Sequence, residues 1–122
     1  MRNKDRVVSL VGKIQLEEFM KILKYCHLFI GNVSGPGHIA AAMGVPTLMI
    51  FGGQVLPHEW HPLGRKTMSV RVQVACAPCY KSLPKDCPFG LKCLKLLWPE
   101  KVMGAVEQLL TVSGDSSIDN RC

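Results

Sequence analysis

The chain has 122 residues, which is enough for one small domain with a core. Its mean hydropathy of +0.16 and its lack of an apolar run of membrane-spanning length argue against an integral membrane protein. Four of the first six residues are charged, and no apolar secretion-signal segment follows them. We therefore expect a cytoplasmic protein with at most peripheral membrane contact.

The formal net charge of +6 favours anionic ligands. However, the fifteen lysines and arginines are scattered along the chain, and no aromatic residues alternate with them in a basic stripe. This pattern is typical of a solvated surface. We expect no nucleic-acid partner.

The first half of the chain alternates between strand and helix patterns. In order, these are a strand at 6–11, an amphipathic helix at 15–25, a strand at 27–30, a helix at 39–43 and a strand at 45–51. Such an order predicts a Rossmann-like α/β fold, a parallel sheet with flanking helices and right-handed crossovers. A long loop at 52–65 and a strand at 68–74 follow.

The second half begins with a cysteine-rich segment at 75–96. Pro99 then opens a helix whose predicted apolar face consists of Val102, Ala105, Val106, Leu109 and Leu110. We interpret residues 1–112 as part of one domain and residues 113–122, rich in serine and aspartate, as a disordered tail.

A glycine-rich turn between the central strand and helix is the main candidate ligand site. Pro36 suits the first turn of a helix, and Ser34 or Gly35 is the predicted N-cap. Free amides and the helix dipole converge there on a site for an anion. The predicted phosphate-binding set is Asn32, Val33, Ser34, Gly35, Pro36, Gly37 and His38, with Lys13 from an earlier strand end. The alternative interpretation is a tight connection without a ligand.

Four cysteines form a second candidate site. Cys76, Cys79, Cys87 and Cys93 have a spacing of C-x2-C, seven residues, then C-x5-C. In a reducing compartment such a cluster favours a metal over disulfides, so the four thiolates are candidate ligands of a structural zinc ion. Reduced, half-buried thiols in a packed segment are the alternative.

Three groups of residues together resemble the C-terminal part of family-nine glycosyltransferases, the ADP-heptose:lipopolysaccharide heptosyltransferases. The first group consists of residues 29–32, Ser34-Gly35-Pro36 and residues 38–42. The second group consists of residues 44–47, Phe51-Gly52, Trp60, Pro62 and Gly64. The third is 76–80 with Cys87-Pro88, Cys93 and Pro99-Glu100. The resemblance covers residues 7–110.

The resemblance implies the donor-binding C-terminal domain of a GT-B glycosyltransferase. Such an enzyme transfers heptose, or a similar sugar, from a nucleotide-diphosphate sugar such as ADP-heptose to a lipopolysaccharide core acceptor. It requires no cofactor for catalysis. The acceptor would be bound by an N-terminal domain that this chain lacks.

One departure from the family pattern bears on activity. Val33 stands where the family usually has an acidic residue, and valine cannot accept hydrogen bonds from sugar hydroxyls. We therefore expect the chain alone to be inactive, as a fragment, a separately encoded half or a remnant. No catalytic residue is identified. The alternatives are a non-catalytic nucleotide- or phosphate-binding module and a zinc-stabilised interaction domain.

Overall fold

A computed structural model of the chain describes residues 6–80, 84–111 and 117–120. The helices in these residues are α1 Leu16–Leu23, α2 Gly35–Ala42, α3 Pro57–Trp60, α4 Lys92–Lys95 and α5 Pro99–Thr111. The strands are β1 Phe29–Asn32, β2 Thr47–Ile50, β3 Thr67–Val70 and β4 Ser117–Asn120. A short 3-10 helix spans Pro84–Asp86.

The four strands form one parallel sheet in the order β1-β2-β3-β4. Phe29 is paired with Thr47, and Thr47 with Thr67, so the three leading strands begin level with one another. Their carboxyl ends therefore open on one edge. The predicted α/β, Rossmann-like architecture with flanking helices is confirmed.

One face of the sheet is covered by α5. Leu48 of β2 and Met68 and Val70 of β3 pack there against Ala105, Val106 and Leu109, and all six side chains are buried. The predicted apolar face of α5 is thus confirmed at its centre. Leu110 is an exception, because it is 47% exposed on the solvent side of the helix.

The other face is covered by α1 and α2. Leu23, Ala40 and Val45 form a second buried cluster, with Phe19 and Phe29 packed edge to face against each other beside it. The start of α1 is fixed locally, since the backbone N–H of Gln15 donates a hydrogen bond of 3.0 Å to the Glu18 carboxylate. Helices on both faces explain why β2 and β3 are almost continuously apolar or small.

The prediction of a first strand at 6–11 is wrong. Residues 7–10 have no regular structure, and a turn follows in which the Lys13 amide donates to the Leu10 carbonyl. Val8 and Val11 are 77% and 87% exposed. A run of valines forms a strand only when a neighbour pairs with it, and among the described residues β1 pairs with β2 alone.

The carboxyl-terminal end also differs from expectation. Within the stretch 113–122 that the sequence predicts as a disordered tail, Ser117–Asn120 forms β4 and pairs with β3 in parallel. Backbone pairing depends little on side-chain polarity, which is why a serine- and aspartate-rich segment can join the sheet. The other residues of that predicted tail lie outside the described residues.

The long loop at 52–65 contains the single turn of helix α3. A histidine of this loop, His61, contacts the sheet. The two ring nitrogens of His61 are hydrogen-bonded to Thr67 Oγ1, at 2.9 Å, and to Ser69 Oγ. These hydroxyls are completely buried in β3. The histidine thus satisfies two polar groups inside the fold and attaches the loop to the sheet.

Candidate functional site

The predicted anion-binding turn lies between the carboxyl end of β1 and the amino end of α2. Asn32 is the last residue of β1, Ser34 is the N-cap, and Pro36 lies in the first helical turn. The predicted N-cap and proline positions are therefore confirmed. Ser34, Gly35 and Pro36 are all exposed, so a ligand has access to the start of the helix.

The first turn of α2 is not capped by a side chain. The Ser34 hydroxyl donates instead to the Asn32 carbonyl, at 3.1 Å. Because the leading amides of a helix have no intrahelical acceptors, those of α2 remain available to an external anion. The dipole of the helix adds partial positive charge at the same place.

Gly37 is in the turn for packing rather than for ligand approach. It is buried, and a Cβ atom there would overlap Met49 Sδ and lie 2.9 Å from Met49 Cε on β2. Gly35 is different, because a Cβ atom there would meet nothing within 4 Å. Gly35 also has no positive φ, so a left-handed conformation is not the reason for glycine at this position.

His38 follows in the same helical turn. Its side chain is half-buried, and its Nε2 atom is buried with no hydrogen-bond partner in the part of the chain that the structure describes. A buried ring nitrogen without a partner costs about 1–3 kcal/mol relative to a satisfied one. A ligand oxygen that reached this atom would recover that free energy.

A pocket of about 210 Å³ lies at the carboxyl edge of the sheet, beside the turn. It is lined by residues from both strand ends and from the cysteine-rich segment: Asn32, Val33, Ile50, Gly52, Gln54, Cys79, Cys87, Leu91, Cys93 and Leu94. We call it the edge pocket. Its volume suits part of a ligand, such as one sugar ring, rather than a whole nucleotide sugar.

The sequence predicted Asn32 and Val33 in this site but not most of the other lining residues. Gln54 could have been inferred, since it comes just after the glycine pair that ends the β2 segment. Leu91 and Leu94 belong to a segment some forty residues away and give no local signal. Lys13, by contrast, is exposed in the turn before α1 and does not line the edge pocket.

The cysteine-rich segment is tied to the loop after β2 by backbone and side-chain bonds. The Cys79 amide donates to the Gly53 carbonyl at 2.9 Å, and the Tyr80 amide donates to the Gln54 carbonyl at 2.8 Å. The Tyr80 hydroxyl donates to Glu59 Oε1 at 2.6 Å. This bond to Glu59, then burial, raises the pKa of Tyr80 above its ordinary value of 10.0.

All four clustered cysteines line a single second pocket of about 290 Å³. Cys76, Cys79, Cys87 and Cys93 share it with Gly53, Pro88, Phe89 and Lys92. We call it the thiol pocket. The four side chains are half-buried. In residues 6–80, 84–111 and 117–120, no group of three or more histidine, cysteine or acidic side chains is arranged to hold a metal ion.

Comparison with known proteins places these features in a family. The model of glycosyltransferase family 9 (heptosyltransferase) matches residues 1–89. The chain belongs to glycosyltransferase family 9. The resemblance inferred from the turn, the second strand and the cysteine segment is thereby confirmed.

Among curated members of family 9, lipooligosaccharide heptosyltransferase 2 of Campylobacter jejuni is 33% identical over 107 residues. That match covers 87% of this chain and 33% of the relative. Lipopolysaccharide heptosyltransferase 3 of Escherichia coli K12 is 30% identical over 117 residues, which are 93% of this chain and 32% of the relative. Lipopolysaccharide heptosyltransferase 1 of Pseudomonas aeruginosa is 29% identical over 114 residues, which are 84% of this chain and 32% of the relative.

This family 9 chain spans about a third of the length of the curated relatives it matches. No solved structure matches it. Among the helices that the structure describes, none has the length and apolar character needed to cross a bilayer.

Proposed function

We propose that this family 9 chain is the donor-binding part of a GT-B heptosyltransferase. In this proposal heptose, or a similar sugar, passes in the cytoplasm from a nucleotide-diphosphate sugar such as ADP-heptose to a lipopolysaccharide core acceptor. The relatives named as lipopolysaccharide and lipooligosaccharide heptosyltransferases support this choice of sugar and acceptor. A further, N-terminal domain would bind the acceptor, and no metal would be needed for catalysis.

In this assignment the first turn of α2 binds the diphosphate. The amides of Ser34, Gly35 and Gly37 supply donors, and His38 lies alongside them. The observation that carries the proposal is the buried Nε2 of His38, which lacks a partner in the same uncapped turn. A neutral imidazole with its proton on Nε2 would donate to a phosphate oxygen and satisfy both groups.

The edge pocket would then hold the sugar. Asn32 and Gln54 are the polar side chains there that are not thiols, and Val33 presents an apolar surface. Among the described residues that line the edge pocket, none carries a carboxylate. The sugar would therefore be recognised with one interaction fewer than in relatives that have an acid at the position of Val33.

Calorimetric titration of the purified chain with ADP tests the diphosphate assignment. We expect weak binding by the parent and a roughly ten- to hundredfold loss in His38→Ala, since a hydrogen bond to a charged group is worth about 1.5–3 kcal/mol. His58→Ala is the matched control, because His58 is exposed on α3 and lines neither pocket. Equal affinities of the two variants would contradict the assignment.

A second experiment concerns Val33. In Val33→Asp we expect ADP affinity to stay the same or to fall slightly by repulsion between the carboxylate and the phosphates. In a chain completed with an acceptor domain, turnover should rise, because the carboxylate would face the sugar in the edge pocket. Sugar transfer by the 122-residue chain alone would contradict a purely donor-binding role.

The lack of a carboxylate in the edge pocket also favours a second candidate, a non-catalytic nucleotide- or phosphate-binding module or remnant. Mixing the chain with a complementary N-terminal half distinguishes the two candidates. Turnover of ADP-heptose in the mixture supports the transferase, whereas ADP binding without turnover supports the module.

The thiol pocket favours a third candidate, a zinc-stabilised interaction domain. Its specific support is that four cysteines from separate parts of the segment line one cavity. A zinc ion would have to draw the thiols together, since the described residues contain no ready-made ligand set.

A further inference from the structure

Arg71 is the first residue after β3, at the edge of the sheet where the strands end. Its side chain is partly buried, and its Nε atom is buried without a hydrogen-bond partner. A guanidinium group is positively charged at neutral pH. Arg71 therefore carries a desolvated charged donor that the described residues leave unsatisfied.

Arg71 lines a third pocket, of about 410 Å³. Gln73 contributes a second polar side chain to it, and Leu56, Val74, two alanines and a proline supply apolar walls. No residue of this pocket belongs to the edge pocket or the thiol pocket. None of the described residues that line it is acidic.

A buried charged donor without an acceptor costs more free energy than an unpaired neutral one. The group that best satisfies a guanidinium is a planar or tetrahedral oxyanion, which accepts two of its N–H groups at once. The amide of Gln73 can donate to a further oxygen. The pocket thus has the donors for an oxyanion and room for the atoms attached to it.

We propose that Arg71 and Gln73 form a second anion-binding site, which takes a carboxylate or phosphate monoester and is separate from the α2 turn. The apolar walls favour a ligand that carries this anion on an uncharged body. The site does not depend on the function of the α2 turn, and it adds a second point at which a ligand can be held at the same edge of the sheet.

The test uses the full chain in solution, with inorganic phosphate and acetate as separate probes. Proton–nitrogen NMR spectra report on the Nε–Hε group of Arg71 and on the amides of 71–77. We expect phosphate, acetate or both to shift these signals saturably, and the comparison tells a phosphate site from a carboxylate site. If neither probe shifts them, the proposal is overturned.

Substitutions locate the binding. Arg71→Gln should weaken the affinity for the active probe at least tenfold, whereas Arg65→Gln, at an exposed arginine ahead of β3, should leave it unchanged. An equal loss in both variants overturns the proposal, since only net charge would then matter. If Arg71→Gln fails to fold, the titration of the parent chain decides alone.

A third variant separates this site from the proposed donor site. Gly35→Val should lower the ADP affinity of the α2 turn while the phosphate-dependent shifts at 71–77 persist. If those shifts disappear as well, the two sites are one and the inference is wrong. If ADP binding is absent from the parent but the shifts at 71–77 occur, the donor proposal fails and this one stands.

Discussion

Gly35 and Gly37 are two residues apart in the same turn, yet their lack of a side chain serves different purposes. Gly37 lets α2 approach β2, because a Cβ atom there would lie within 3 Å of the side chain of Met49. Gly35 is exposed and has open space around its Cα atom. Its missing side chain therefore matters only to something that approaches from outside the fold.

We predict that valine substitutions separate these two purposes. Gly35→Val should lower ADP affinity by obstructing approach to the amides, with a free energy of unfolding within about 0.5 kcal/mol of the parent. Gly37→Val should reduce that free energy by about 1–3 kcal/mol through overpacking against Met49. Urea unfolding and calorimetric titration measure the two effects. Parent-like ADP binding by Gly35→Val would refute the proposal that the amides in the first turn of α2 bind the diphosphate.

The hydrogen bond between Tyr80 and Glu59 gives a prediction about pH. Because this bond raises the pKa of Tyr80, it favours the protonated phenol in the folded state. Its contribution to stability is complete below about pH 10, the unfolded pKa, and is lost as the pH rises through the folded pKa. Tyr80→Phe should therefore have a lower free energy of unfolding than the parent at neutral pH. This difference should shrink in strong alkali.

Tyr25→Phe is the control for that experiment. Tyr25 is 85% exposed, and its backbone amide donates a hydrogen bond to the Ile22 carbonyl. A Tyr80→Phe difference that stayed constant from neutral to strongly alkaline pH would show that the bond to Glu59 does not stabilise the fold.

Among the elements, α5 shows how far periodicity can define a buried face. The three- and four-residue spacing correctly picked out Ala105, Val106 and Leu109. It also included Leu110, which the structure leaves 47% exposed. The two leucines are about 100° apart around the helix, and Leu109 is the one that points at the sheet.

We predict a large difference between these two leucines. Leu109→Ala should reduce the free energy of unfolding by about 2–5 kcal/mol, because it leaves a cavity against β2 and β3. Leu110→Ala should change it by less than about 1 kcal/mol, since its side chain remains half in water. Chemical denaturation of both variants provides the measurement. Similar losses in the two would mean that α5 sits on the sheet in a different rotation.

For the molecule as a whole, the thiol pocket joins segments that are distant in sequence. Cys93 packs against Gly53, and its Sγ atom would lie 3.5 Å from a Cβ atom added to this glycine. Cys79 is held to the Gly53 carbonyl through its amide. The cysteine-rich segment therefore folds over the loop after β2, and three of its thiols reach the edge pocket as well.

If the thiol pocket binds zinc, elemental analysis of the purified chain should find about one ion per molecule. Removal of the ion by a chelator should lower the melting temperature, because binding free energy is then part of folding free energy. Cys93→Ser should lose the ion, whereas Cys26→Ser, outside the pocket, should keep it. Metal-free protein with an unchanged melting temperature would leave reduced, packed thiols as the role of the segment.

The sequence by itself determined the elements whose signals are local. Ser34 and Pro36 fixed the start of α2, because each acts on backbone conformation within a few residues. Apolar runs gave β1 and β2, and helical periodicity gave α1 and α5. The family could likewise be inferred from the order of these motifs.

The tertiary structure alone decided which residues meet. It left the valines at 7–11 without a strand partner, placed β4 in the predicted tail, and put Gly37 against Met49. It also gathered four thiols around one cavity and left the Nε atom of Arg71 buried without an acceptor among the described residues. Such features depend on contacts between residues far apart in sequence, and local propensity carries no information about those contacts.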